Sequence, residues 1–228
     1  MSPKLEIACF NLESVRIAFD AGADRIEFCN GIEEGGTTPN FEDVLQAKQY
    51  LTIPLNVMIR PRGGHFVYSH DEYARMKMDI LRFKSIGVDG FVFGILKNDH
   101  SIDEVRNTEL VTLASPIPCT FHRAFDEIEN VEKSLETILK SGFSTVLTSG
   151  CEANAMLGVN TLRKLIHLAN NRICIMPGGG VRARNIETLL AECPSSYYHS
   201  SAIINEINMA DGDEIKSLKN NLDACKIS

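Results

Sequence analysis

The chain has 228 residues, 44% of them hydrophobic and 23% charged, and a net charge of -7. That length suits one α/β domain with a substantial core, and the apolar share is too high for a disordered chain. The acidic balance argues against nucleic acid or an anionic membrane as a partner, so a small molecule or an ion is the expected ligand.

No stretch approaches the roughly 20 apolar residues of a membrane span, and residues 1–6 lack the apolar core of a signal peptide, which predicts a cytoplasmic protein. Seven cysteines (Cys9, Cys29, Cys119, Cys151, Cys174, Cys193 and Cys225) form neither a CxxC pair nor a compact cluster. That pattern suggests buried thiols rather than a disulfide framework or a structural zinc site.

Short apolar runs predict strands at residues 5–8, 25–28, 55–59, 90–93, 119–122, 145–148, 173–176 and 197–199. Between them, helical periodicity predicts helices over 12–21, 41–50, 71–86, 102–113, 131–141, 160–169, 185–191 and 214–225. Three of the helix-to-strand turns share a pattern: Ala21-Gly22-Ala23-Asp24, Ile86-Gly87-Val88-Asp89 and Ser141-Gly142-Phe143-Ser144. In each, Gly ends the helix, an apolar residue packs back and a polar residue closes the turn. Eight strands alternating with eight helices predict parallel strands with right-handed crossovers. The short repeat favours a single-domain (β/α)₈ TIM barrel over residues 1–228 rather than an open sheet.

Barrel strands alternate between the helix layer and the interior, and Glu6, Glu27, Asn56, Arg60, Thr120 and His122 take the inward parity. Several strand ends carry further chemistry toward one mouth. The third runs into Arg60-Pro61-Arg62-Gly63-Gly64, the fifth into His122-Arg123-Ala124-Phe125-Asp126 and the sixth into Thr148-Ser149. The seventh ends in Gly178-Gly179-Gly180, where barrels commonly take a phosphate, and the eighth in His199-Ser200-Ser201. These positions nominate Glu6, Glu27, His122 and Asp126 for proton transfer. They nominate Arg60, Arg62, Arg123, Ser149, Gly178, Gly179, Gly180, His199 and Ser201 for ligand binding. Arg123 and Asp126 are also spaced to pair with each other and cap the next helix.

The motifs Gly22-Ala23-Asp24-Arg25-Ile26-Glu27-Phe28-Cys29, Glu34-Gly35-Gly36-Thr37-Thr38-Pro39, Met58-Ile59-Arg60-Pro61-Arg62-Gly63-Gly64, 120–126, 146–150 and Pro177-Gly178-Gly179-Gly180-Val181 resemble the CutC family in order and spacing. The resemblance implies a cytoplasmic barrel, a homo-oligomer (dimer or tetramer), a role in copper homeostasis, and Cu(I) at Cys9 and Cys29. Two departures stand out: His65 occupies a position where the family has aspartate, and the segment after Ala202 is short.

Cu(I) prefers thiolates and accepts two ligands. Yet Cys9 has the parity opposite to Glu6 while Cys29 shares that of Glu27, so the two sulfurs converge only if the first strand ends or bulges before Cys9. The alternative reading of the same residues is an enzyme acting on a small anionic, phosphorylated or sugar-like metabolite at the barrel mouth.

Overall fold

A computed structural model describes residues 2–224. Eight strands, β1 (Lys4–Cys9), β2 (Arg25–Phe28), β3 (Leu55–Met58), β4 (Gly90–Phe93), β5 (Cys119–Phe121), β6 (Thr145–Thr148), β7 (Cys174–Pro177) and β8 (Tyr197–Ser200), form one sheet. Each is followed by a helix: α1 (Leu12–Asp20), α2 (Phe41–Tyr50), α3 (His70–Ser85), α4 (Glu104–Ala114), α5 (Val131–Lys140), α6 (Val159–Ala169), α7 (Ile186–Glu192) and α8 (Gly212–Ala224). Cys225 lies outside the described residues.

All ladders are parallel and run in the order β7-β6-β5-β4-β3-β2-β1-β8. β7 and β8 lie side by side without a backbone ladder among the described residues. Side chains stitch that seam instead: Ser195 Oγ donates to Ile175 O at 2.5 Å and Ser200 Oγ to Val181 O at 2.7 Å. The barrel is therefore closed by packing and hydroxyls on its last edge.

Local signals set the element ends. Gly22, Gly87 and Gly142 all adopt positive φ, the backbone region that a side chain disfavours. The polar residue of the same turns ties down a neighbouring strand: Asp24 Oδ2 accepts from Leu5 N at 2.8 Å, and Asp89 Oδ2 from Leu55 N at 2.9 Å. In the third copy Ser144 Oγ donates to Cys119 O at 3.0 Å. Ser69 and Glu72 form a reciprocal capping box at the start of α3, while Asn11 and Asn130 cap α1 and α5.

The two strand parities separate cleanly. Leu5, Ile7, Cys9, Ile26, Phe28, Leu55, Val57, Phe91, Phe93, Phe121, Val146, Ile175 and Tyr198 face the helices and belong to one continuous hydrophobic cluster. The opposite parity holds Glu6, Glu27, Asn56, Arg60, Thr120, His122 and His199, all buried. Burying a side chain of that kind costs several kcal/mol unless it is paired, so the barrel axis is where polar contacts have to be found.

Candidate functional site

At the base of the barrel interior, Glu6 is fully buried and its two oxygens have three donors. Arg25 Nε lies 2.5 Å and Asn56 Nδ2 3.2 Å from Oε2, and His199 Nδ1 lies 2.7 Å from Oε1. Burial works to raise the pKa of this carboxyl, but the Arg25 and His199 charges and hydrogen bonds outweigh it and hold it at about 2. Arg25 is itself braced by the Tyr197 ring, 3.8 Å from its guanidinium carbon, and by Met176 Sδ at 3.4 Å. His199 Nε2 then stands 3.8 Å from Glu27 Oε2. Burial, and secondarily the Glu6 charge, push Glu27 up to about 6, while His199 pulls it back. For His199, burial alone would favour the neutral ring, yet Glu27 and Glu6 together raise its pKa.

Above this floor opens a cavity of about 250 Å³. Its walls include Glu27, Cys29, Met58, Arg60, Phe66 and His122 on one side, and Arg123, Gly179, Gly180, Arg182, His199, Ser200 and Ser201 on the other. His122 Nδ1 accepts from Ala124 N at 3.2 Å, so the neutral ring carries its proton on Nε2. Burial and the nearby Arg60 charge lower its pKa to about 3, keeping the imidazole neutral. Three polar atoms on cavity-lining residues are buried with no partner: Glu27 Oε1, His122 Nε2 and Arg60 Nε. Unpartnered buried groups are rare in folded proteins, and a cluster of them around one cavity calls for an explanation.

The residues expected at the mouth divide into two groups. Glu27, Arg60, His122, Arg123, Gly179, Gly180, His199 and Ser201 line the cavity, with Glu6 beneath it holding His199. Asp126, Ser149, Gly178 and Arg62 do not line it. Asp126 accepts from Arg123 Nε at 2.7 Å, from Ser149 N at 3.0 Å, from Cys151 N at 3.2 Å and from Thr148 Oγ1, so its oxygens hold the turn after β6. Ser149 Oγ accepts from Arg123 Nη2 at 3.1 Å and joins the same knot.

Gly178 packs where an added Cβ would meet Leu147 Cδ1 at 2.4 Å. Arg62 turns away from the mouth: its donors go to Glu72 and to the carbonyls of Gly63, His65 and Val67. The expectation that Arg60 and Arg62 both reach the mouth is therefore corrected: Arg60 lines the cavity, while beyond the Pro61 bend the second guanidinium turns to Glu72 and its own loop. His65, where the resembled family has aspartate, is exposed and outside this cavity.

The lining also contains residues the sequence reading left out. Met58 shares the parity of Asn56 in β3 and of Arg60 just beyond it, and that periodicity was the available signal. Arg182 lies two residues after Gly180; its guanidinium donates to Val181 O at 2.8 Å, to Ser200 Oγ at 3.2 Å and to Ile203 O at 2.9 Å. Phe66 packs at a tilt against His122, with 4.7 Å between ring centres, a contact across loops that no local pattern encodes.

For metal ligation, one atom from each of Glu6, Glu27 and His199 lies within 4.8 Å of the others. These are oxygen and nitrogen donors, and Arg25 already balances Glu6, a poor match to the soft sulfur that Cu(I) prefers. β1 continues through Cys9 without a bulge, so Cys9 faces the helices within the main hydrophobic cluster. Cys29 instead faces the cavity, in a small interior cluster with Met58 and Val92, against which Phe10 packs. Its Sγ lies 3.5 Å from Glu27 Oε2. Burial and the Glu27 charge raise both thiols well above the usual cysteine value.

Fold and site together define a (β/α)₈ barrel with a small polar cavity at the C-terminal ends of its strands. The model of the CutC family matches residues 3–204, and the chain belongs to that family. It is 45% identical to a human copper homeostasis protein cutC homolog, over 87% of this chain and 72% of that one. It is 41% identical to a family protein CutC of Chromobacterium violaceum, over 89% and 82% of the two chains. Among solved structures, a Streptococcus agalactiae chain crystallised as a copper homeostasis protein CutC superposes with a TM-score of 0.84 at 35% identity, covering 88% and 99%. Phosphoribosyl anthranilate isomerase from Thermotoga maritima, at 14% identity and a TM-score of 0.66, shares the barrel fold.

Proposed function

We propose that this protein serves copper homeostasis, as the names of its relatives state, and holds Cu(I) at the barrel mouth on Cys29 and Met58. The observation that carries this reading is the clustering of a thiol and a thioether on the wall of one cavity. Cu(I) accepts two soft ligands, and thiolate with thioether is such a pair. Binding has to expel the thiol proton, and Glu27 Oε2, 3.5 Å from Cys29 Sγ, is placed to receive it. Cys9, paired with Cys29 in the family resemblance, would contribute only after a rearrangement of β1 that turned its sulfur inward.

The same reading places the protein in the cytoplasm as a dimer or tetramer. No described helix is long and apolar enough to cross a membrane. Exposed Leu81 and Val105 line one groove between α3 and α4, offering apolar surface to a second copy.

The test is a Cu(I) titration against a competing chelator, with oligomeric state followed by light scattering. Cys29→Ser is expected to abolish tight binding, Met58→Leu to weaken it about tenfold, and Cys9→Ser to leave it intact. Wild-type affinity in Cys29→Ser would overturn the site.

A further inference from the structure

Beyond copper, the cavity has a composition that sulfur ligation does not account for. Arg60, Arg123 and Arg182 line it with Glu27 as the lining carboxylate, and Asp126 pairs with Arg123 from behind the wall. A chain of net charge -7 thus gathers three guanidinium groups at this mouth. Arg123 lies against the glycine turn: a Cβ on Gly179 would be 3.4 Å from its Nη1. Its other nitrogens are engaged with Asp126 and Ser149, which fix the guanidinium and leave that edge available. Gly179 and Gly180 both adopt positive φ, and no hydrogen bond among the described residues uses either N–H. A turn with free amides beside two arginines is an oxyanion cradle.

Residues of the opposite wall hold the three buried unpartnered atoms: His122 Nε2–H and Arg60 Nε–H donate, and Glu27 Oε1 accepts. A fully ionised phosphoryl group would satisfy the donors but not the carboxylate. A hydroxyl, which both donates and accepts, satisfies both kinds of group. At ~30 Å³ per water in the liquid, the 250 Å³ space holds about eight waters, or a ligand of roughly ten non-hydrogen atoms.

We propose that the cavity binds a small hydroxylated phosphate monoester, with the phosphoryl group against Arg123, Arg182 and the amides of Gly179 and Gly180, and a hydroxyl between Glu27 and His122. This goes beyond the copper reading and shares only the cavity with it.

The experiment uses purified full-length protein stripped of metal and kept in a Cu(I) chelator, so its outcome does not depend on copper. Binding of glycerol 3-phosphate, inorganic phosphate and glycerol is measured by calorimetry and by thermal shift. Glycerol 3-phosphate is expected to bind saturably, phosphate at least several-fold more weakly, and glycerol not at all. Arg123 is half-exposed, so Arg123→Gln keeps the fold while removing a charge-assisted contact, and it is expected to weaken glycerol 3-phosphate about tenfold or more. His122→Asn keeps the acceptor for Ala124 N but withdraws the Nε2 donor, so it should narrow the preference for the hydroxylated ligand over phosphate. Absence of saturable binding by both phosphates up to about 10 mM, or equal binding by Arg123→Gln, overturns the proposal.

Discussion

His199 places its Nδ1 2.7 Å from Glu6 Oε1, and in doing so joins the eighth strand to the first through a contact that is wholly buried. Glu6 also holds Arg25 from β2 and Asn56 from β3, so one carboxylate organises four neighbouring strands. Replacing it by Gln leaves the Arg25 guanidinium buried without its counter-charge. Breaking a buried pair from one side costs about 3–5 kcal/mol. At roughly 2–4 °C per kcal/mol for a chain of this size, the melting temperature of Glu6→Gln is expected to fall by on the order of 10 °C. A variant that melts with the wild type would show that Arg25 finds solvent instead.

Gly90 tests the same layer from the fourth strand. A Cβ there would stand 2.0 Å from Asn56 Oδ1 and 2.6 Å from Cγ, so Gly90→Ala forces the Asn56 amide to move and takes its donor from Glu6. The expected cost is about 3 kcal/mol, from overpacking plus the lost hydrogen bond. Asn56→Ala in the same chain makes room for the methyl, so a double-mutant cycle should give a coupling of at least about 1 kcal/mol. Simple additivity in denaturant melts would contradict the geometry.

Arg60 makes a different kind of prediction. Its guanidinium donates to Glu34 O at 2.6 Å, to Gly36 O at 2.9 Å and to Gly64 O at 2.8 Å, tying the loop after β2 to the loop after β3. Arg60→Ala is therefore expected to destabilise by about 3 kcal/mol, whatever ligand the cavity takes. Arg60→Lys should recover little, because an ammonium cannot fork to three carbonyls set by a planar group. Hydrogen exchange should show the damage concentrated in residues 31–38 and 63–66; uniform loosening of the barrel would refute the strap.

How far the sequence spoke for itself follows from which forces are local. The helix-to-strand turns at Gly22, Gly87 and Gly142 were legible because helix ends need a left-handed residue, and β2, β4 and β6 lie where the apolar runs predicted them. Strand parity then sorted Glu6, Glu27, Arg60 and His122 correctly to the interior, since period-two alternation is a property of the strand alone. Once β1 runs through Cys9, the same parity separates Cys9 from Cys29. What parity cannot supply is the path of the chain after a strand ends. Arg62, two residues beyond Arg60, turns into its own loop, and Asp126 spends its oxygens on a turn from another strand. The pairing of Phe66 with His122 depends on two loops meeting, a long-range relationship that no short window contains.

His122 gives the pH dependence with the clearest sign. In the folded protein its pKa is about 3, against about 6.5 for an unfolded histidine, so between those values the unfolded chain binds a proton that the folded one refuses. Stability from this site is fully present above pH 6.5 and is lost as the pH falls through the window toward 3. Each pH unit inside the window is worth about 1.4 kcal/mol, so about 2–3 kcal/mol should disappear between pH 6.5 and 4.5 from this group alone. His122→Asn isolates it. The asparagine oxygen can accept from Ala124 N in place of Nδ1, preserving the cap, while the side chain no longer titrates. At pH 7 the variant should be somewhat less stable, because the ring contact with Phe66 is lost. At pH 4.5 that deficit should shrink or reverse, since the wild type has by then given up the histidine contribution. Denaturant melts of both proteins across the range measure the difference directly, and parallel acid slopes would mean that His122 is protonated in the folded barrel.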